Sequence, residues 1–274
     1  MAIAAEDFRY VTELVRDQSA IVLEAGKEYL VETRLGPVAT QVGLPSIAAL
    51  VADLRLRKTP GLVQKVIDAM TTNETSFFRD VSPFEHLKKR VFPDLIAKRK
   101  NEKRLSIWCA AASTGQETYS MLMLLKENFP ELASWNVQYL ATDISTQVLA
   151  KAREGAYTQL EVNRGLPAPL LIKYFKKRGL EWQVDESLRS MVTWREFNLA
   201  AKTWAPMGSF DLIMLRNVMI YFDLPTKRGI LANMRRFLRP DGYLFLGTAE
   251  TTINVDDSFS SDSFHTACYR LKAA

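Results

Sequence analysis

Residues 105–120 read LSIWCAAASTGQETYS: a short apolar strand, a turn of small residues, then the start of a helix. Further along, VQYLATDIS is a second apolar strand that stops on an acid, Asp143. Together they have the pattern of the first βαβ unit of a nucleotide-type site. Small residues let a ligand approach the backbone, and a carboxylate closing the next strand accepts hydrogen bonds from ribose hydroxyls. The G-x-G-x-x-G run of a dinucleotide fold is missing, so no pyrophosphate need be bound. A ribose-bearing cofactor without phosphates fits better, and S-adenosylmethionine is the commonest of these.

Those residues need a scaffold, and the pattern from 105 onward supplies one. LSIWCA, a helix over 116–128, VQYLATD, a helix over 145–153, FDLIMLRN, a helix over 224–238 and GYLFLGTAE follow in turn. Strands alternating with helices predict a mostly parallel, Rossmann-like sheet covered on both faces. GYLFLGTAE and FHTACYRLK are expected to close it as antiparallel edge strands. Residues 156–196 break the alternation, with short β-type runs around Trp182 and Val192–Trp194. They read as a helix-bearing connection and then a small antiparallel β-subdomain, inserted at about 172–196.

Residues 1–72 read as a separate helical domain. Phe8, Val11, Leu14 and Val15 form one apolar stripe, and Leu62, Val63, Val66, Ile67 and Met70 form another. Between them Ser46 is placed to N-cap a helix carrying Ile47, Leu50, Val51 and Leu54. TTNETSFFRD then opens a connecting segment over 73–104 that includes a helix over 84–100, before the sheet domain of 105–274.

Composition narrows the class. Of 274 residues, 47% are hydrophobic and 24% charged, the balance of an ordinary globular protein. No apolar run reaches the roughly 20 residues of a membrane span, so no membrane insertion is expected. The opening MAIAAEDFRY carries acids where a signal peptide needs basic and then apolar residues. Two cysteines imply no disulfide framework and a reducing, cytoplasmic setting. His86 and His265 are too few for a metal site, so the chain is expected to be metal-free. The net charge of +5 is concentrated in three runs: Arg55, Arg57 and Lys58; Lys88, Lys89 and Arg90; and Lys98 to Arg104. Such runs are either solvated surface or steer an acidic partner. Aromatic residues do not interleave with them, which argues against nucleic acid as that partner.

Four segments, TNETSFFRD, WCAAASTGQETYS, ATDIS and LRNVMIYF, in this order and spacing, resemble the CheR-type chemotaxis receptor glutamate O-methyltransferases of bacteria. The resemblance spans nearly the whole chain. It implies methyl transfer from S-adenosylmethionine to glutamates on the cytoplasmic helices of chemoreceptors, with S-adenosylhomocysteine as product. It further implies that Ala110 to Gly115, Ala111 included, underlie the methionine part of the donor, that Glu117 faces its amino group and that Asp143 holds its ribose. An N-cap for the helix from Ser145 is the other reading of Asp143. By the same resemblance Asn73, Thr75 and Arg79 fold over the donor, with Arg79 pairing either the donor carboxylate or the substrate glutamate. Asn198 and Leu199 match the loop that frames the adenine. Arg216 and Asn217 match donor and substrate contacts, and Tyr221 the tyrosine near the transferred methyl. Arg55, Arg57 and Lys58 match the basic residues that approach the acidic receptor helices.

The chemistry so implied asks for little acid–base help. A glutamate carboxylate has an unperturbed pKa near 4.3, so at neutral pH it is already the nucleophile. Alignment and exclusion of water are what remain, and no catalytic histidine or cysteine is needed. The compact KKRGLEWQVDESLRSMVTW leaves little room for the longer glycine-bearing loop of relatives that tether a receptor's C-terminal peptide. That peptide is therefore not expected to be required. Three rivals remain: a non-catalytic donor-sensing module, a nucleic-acid methyltransferase and a nicotinamide dehydrogenase. The second lacks a D-P-P-Y-type turn, since LRNVMIY stands in its place, and the third lacks the glycine fingerprint.

Overall fold

A computed structural model describes residues 3–272. Their contacts define two units: one running to Thr72 and joined by Tyr221–Thr226, the other comprising Asn73–Ile220 and the chain from Lys227 onward.

The first unit is four helices: α1 (Ala5–Ser19), α2 (Glu28–Gln41), α3 (Ile47–Leu56) and α4 (Leu62–Met70). Their buried faces are Val11 and Val15; Val31, Leu35 and Val38; Leu50, Val51 and Leu54; and Val66, Ile67 and Met70. Ser46 caps α3 by accepting a hydrogen bond from the Ala49 N–H at 3.1 Å, a contact typically worth about 1 kcal/mol. Helix α2 is not among the expected stripes, because Gly36-Pro37 inside it reads locally as a breaker. Burial of Val31, Leu35 and Val38 outweighs the backbone bond that Pro37 cannot donate. Arg34 on α2 donates to the Met70 and Thr71 carbonyls at 2.7 and 3.0 Å, satisfying the open end of α4.

The second unit begins with α5 (Ser82–His86), a π-helical turn (Leu87–Val91) and α6 (Phe92–Arg99). The single helix expected over 84–100 is thus interrupted. Pro93 has no N–H to offer the carbonyl one turn earlier, and the Phe92 N–H reaches Leu87 instead.

Its main sheet has seven strands in the order β6-β2-β1-β7-β8-β10-β9. These are β1 (Arg104–Cys109), β2 (Asn136–Asp143), β6 (Val192–Glu196), β7 (Phe210–Leu215), β8 (Leu238–Leu246), β9 (Phe259–Asp262) and β10 (His265–Leu271). From β6 through β8 the pairings are parallel; those of β10 with β8 and β9 are antiparallel. Helices α7 (Gln116–Asn128) and α8 (Thr146–Glu154) follow β1 and β2, and α12 (Leu224–Phe237) joins β7 to β8. All six residues of β7 are buried, as befits a parallel strand covered on both faces. GYLFLGTAE is therefore not an edge strand: β8 is interior, and the short β9 takes the edge.

A second, three-stranded antiparallel sheet has the order β3-β5-β4, with β3 at Ala156–Thr158, β4 at Phe175–Arg178 and β5 at Glu181–Val184. Short helices α9 (Gln159–Asn163), α10 (Ala168–Tyr174) and α11 (Glu186–Arg189) flank these strands. The inserted subdomain expected at about 172–196 is corrected at both ends. It takes in β3, while Val192–Glu196 leaves it to pair in parallel with β2, Tyr139 opposite Val192 and Asp143 opposite Glu196.

From β1 the chain steps outward to β2 and β6, then returns to the other side of β1 as β7. The crevice at such a reversal, outside the carboxyl ends of the strands, is where ligands bind in sheets of this kind. At the opposite ends, Arg99 pairs with buried Asp211 and with Asp241, both at 2.6 Å, a structural cluster away from that crevice.

Candidate active site

The turn after β1 is stitched to both neighbouring strands. The Ala110 N–H donates to the Met214 carbonyl and the Ala112 N–H to the Thr142 carbonyl, each at 2.8 Å. Ser113 then takes a left-handed φ of +48° and Gly115 one of +94°. A Cβ at Gly115 would lie 3.0 Å from both Ala152 Cβ and the Tyr157 hydroxyl, so glycine alone lets α7 start this close to its neighbours.

That geometry aims the Ser113 N–H at Asp143 Oδ2, 2.8 Å away, while the Ser145 N–H donates to Oδ1 at 3.0 Å. Ser145, not Asp143, caps α8, its hydroxyl accepting from the Val148 N–H. The cap reading of Asp143 is thereby set aside: its carboxylate is held between two backbone donors at the end of β2. The Ser113 hydroxyl donates to the Asn73 carbonyl at 2.8 Å, which ties the 73–80 segment to the same turn. Ala111 and Thr75 are half-buried beside their chain neighbours. Beyond β6, the Phe197 N–H donates to the Asp143 carbonyl at 2.8 Å, bringing Asn198 and buried Leu199 to the end of β2. Asn198 closes its own turn by accepting from the Ala200 N–H at 2.9 Å.

A second group centres on Arg216, at the end of β7 and only 5% exposed. It donates to Glu117 Oε2 at 2.6 Å, to Asp80 Oδ2 at 2.7 Å and to the Arg79 carbonyl at 3.2 Å. Its guanidinium thus spans α7 and the 73–80 segment, and its Nε is buried without a partner among the described residues. The Cys109 thiol donates to Glu117 Oε1 at 3.5 Å. Burial, reinforced by the Glu117 charge, pushes that thiol well above its ordinary pKa, so it stays a neutral donor. Arg79 itself is half-buried and donates to the Glu74 carbonyl at 3.0 Å. Phe78, Asp80 and Val81 all hold positive φ, of 47°, 69° and 37°. A β-branched residue there is rare, and such strain costs about 1–3 kcal/mol per residue. Burial of Phe77 against Tyr157 and Phe175, the Phe78 N–H bond to Ser120, and the Arg216–Asp80 pair hold the segment in place.

Asn217 has φ +57°, and its N–H donates to Glu250 Oε2 at 2.8 Å. The other expected residues belong to the helical unit. Tyr221 is half-buried, and its carbonyl accepts from the Val22 N–H at 3.1 Å. Arg55 lies over the Tyr10 ring at 4.4 Å and reaches Glu6 and Asp7 at 3.5 and 3.7 Å, so part of its charge is already answered. Arg57 and Lys58 are exposed at the end of α3.

Two residues escaped the sequence reading. Asp80 stands within TNETSFFRD, where nothing local marks it as a partner of Arg216. Glu250 ends GYLFLGTAE, an acid after an apolar strand, which is the same signal that marked Asp143.

The donor set at the carboxyl ends of β1 and β2 is acidic: Asp143 suits ribose hydroxyls, Glu117 suits an ammonium, and no basic phosphate cradle lies in 110–115. Such a set in this sheet suits a ribose-bearing donor in a Rossmann-like fold, and the family models place the chain among S-adenosylmethionine-dependent methyltransferases. The CheR methyltransferase SAM binding domain matches residues 73–268, and the CheR methyltransferase all-alpha domain matches residues 6–71. Chemotaxis protein methyltransferase 1 of Pseudomonas aeruginosa is 42% identical over 94% of this chain and 95% of its own length. Chemotaxis protein methyltransferase Cher2 of Pseudomonas putida is 39% identical over 92% and 93%. Among solved structures, the glycopeptide N-methyltransferase MtfA with S-adenosylmethionine is 19% identical over 69% of this chain and 60% of that one, with a TM-score of 0.37, too slight a likeness to inform the site. The chain belongs to the CheR family: it is an S-adenosylmethionine-dependent protein-glutamate methyltransferase that methylates chemoreceptors. No helix among the described residues is long and apolar enough to cross a membrane.

Proposed function

We propose that the donor sits in the crevice outside β1, β2 and β7, and that the acceptor glutamates lie on the cytoplasmic methylation helices of chemoreceptors. One observation carries the assignment: Asp143, held by the Ser113 and Ser145 N–H groups, stands beside a small-residue turn that lacks the G-x-G-x-x-G of a pyrophosphate site. S-adenosylmethionine, when bound, supplies a methyl group on a sulfonium and leaves as S-adenosylhomocysteine.

The chain's own residues have simpler work. Asp143 accepts from ribose hydroxyls, Glu117 faces the donor's amino group, and Asn198 and Leu199 frame the adenine. Asn73, Thr75 and Ala111 complete the wall, while Arg216 fixes Glu117 in place through their 2.6 Å bond. Asn217 borders the same crevice. Arg79 orients a carboxylate, and Tyr221 takes the part in the transfer that the family resemblance gives it. The acceptor carboxylate is ionised at neutral pH, so no proton has to be removed before attack. Holding it in line accounts for the bulk of the rate gain, about 7–11 kcal/mol in well-oriented systems.

Arg57 and Lys58, with Arg55 in part, meet the acidic receptor helices, an encounter at the cytoplasmic face of the membrane. A C-terminal receptor peptide is not required; a turn of only Gly179 and Leu180 between β4 and β5 supports this. The test is incubation with methyl-labelled donor and receptor cytoplasmic fragments, followed by alkali. Glutamyl esters release labelled methanol, whereas base-stable label would refute the assignment.

A further inference from the structure

Glu250 is only 8% exposed although it lies in the turn after β8. Its Oε2 accepts from the Gly247 N–H at 2.6 Å and from the Asn217 N–H at 2.8 Å, and its Oε1 accepts from the Ile220 N–H at 3.2 Å. The turn is closed in the other direction by the Glu250 N–H, which donates to the Gly247 carbonyl at 2.9 Å. One carboxylate therefore answers three backbone donors from two segments, and two of those donors lie in the loop that follows β7.

The parts fit as a set. Asn217 has a left-handed φ of +57°, a conformation in which asparagine is favoured over most other side chains. Gly247 cannot carry a side chain, because a Cβ there would lie 2.7 Å from Glu250 Oε2 and 2.9 Å from the Asn217 N. Backbone N–H groups withdrawn from water need acceptors, and Glu250 is the acceptor in the part-buried bonds from Asn217 and Ile220. The loop so anchored carries Arg216, which joins Glu117 to Asp80, and Asn217 at the crevice.

We propose that Glu250 is a positioning residue for methyl transfer, holding Arg216–Ile220 in the one conformation that presents Arg216 and Asn217. It touches neither donor nor acceptor. The proposal rests on the methyl-transfer reading above and adds to it a residue for which the family resemblance gave no role.

Full-length Glu250→Ala and Glu250→Gln test it. Turnover is measured with saturating donor and receptor fragment, and hydrogen exchange is followed in peptides covering 216–220, 247–250 and β1. Glu250→Ala should lower turnover about 100-fold, the loss expected of a displacement near 1 Å. Exchange should accelerate in 216–220 and 247–250 while β1 stays protected. Glu250→Gln keeps one acceptor oxygen and should fall between alanine and wild type. Wild-type turnover in both variants, or exchange that rises equally in β1, overturns the proposal. If the alanine variant does not fold, the glutamine variant decides alone, and unchanged turnover overturns it. An inactive wild-type chain would instead count against the functional reading, and local exchange would still test the anchor.

Discussion

Replacing Asp143 with asparagine separates the ribose role from a structural one. In the wild type, Oδ2 receives the Ser113 N–H at 2.8 Å and Oδ1 the Ser145 N–H at 3.0 Å. The amide keeps one acceptor oxygen and turns an NH2 toward the other backbone donor. One buried N–H then loses its partner, at a cost of about 1–3 kcal/mol of stability. Donor binding suffers separately. A hydrogen bond to a charged group contributes about 1.5–3 kcal/mol and a neutral one about 0.5–1.5. The difference over two ribose hydroxyls is roughly 2–3 kcal/mol, equal to a rise in Kd of roughly 30- to 150-fold. Calorimetric titration with S-adenosylhomocysteine reads the affinity, and thermal melting of the ligand-free protein reads the stability. A lowered Tm with Kd within about threefold of wild type would show that Asp143 braces the turn without holding the sugar.

Other outcomes follow from the same structure. Arg79→Ala and Tyr221→Phe should each lower turnover more than donor affinity; parallel losses in affinity with no separate loss of turnover would remove both from the chemistry. Methylation should slow as ionic strength rises, because exposed charges are screened beyond about 8 Å at physiological salt. Arg57→Glu with Lys58→Glu should raise KM for receptor while leaving donor binding intact, and a salt-insensitive rate would contradict that role. Burial holds the His86 and His265 imidazoles below their ordinary pKa of 6.5, the nearby Asp262 opposing it at both. Below pH 6.5 the unfolded chain takes up protons that these folded groups resist, so stability is lost as pH falls through that window. Melting between pH 7 and 5.5 should show this decline, and His86→Gln should flatten it; equal slopes would place the effect elsewhere. A receptor C-terminal peptide titrated into the enzyme should give no heat and no change in rate, whereas saturable binding would restore the tether.

Local pattern was enough for the parts of the fold that local forces decide. The apolar run of β1 with its small-residue turn, and the apolar run of β2 with its terminal Asp143, are legible because each pair is contiguous in the chain. What escaped depends on distant partners. Helix α2 hides behind Gly36-Pro37, since only burial of Val31, Leu35 and Val38 in the helical unit makes a proline-bearing helix stable. Val192–Glu196 reads as part of the insertion beside it, because nothing within VTWRE signals parallel pairing with β2. Asp80 has no local signal because its partner Arg216 lies 136 residues away, whereas Glu250 carries the strand-then-acid signal of Asp143 but lies outside the first βαβ unit. Arg216, which the resemblance marks as a donor or substrate contact, is held by Glu117, Asp80 and the Arg79 carbonyl, distant partners that no local pattern in LRNVMIYF announces.

A crystal structure with S-adenosylhomocysteine tests the central claim most directly. The ribose hydroxyls should lie within hydrogen-bonding distance of the Asp143 carboxylate, with the product's amino group beside Glu117. A product bound away from the carboxyl ends of β1 and β2, with Asp143 facing no sugar, would contradict the account.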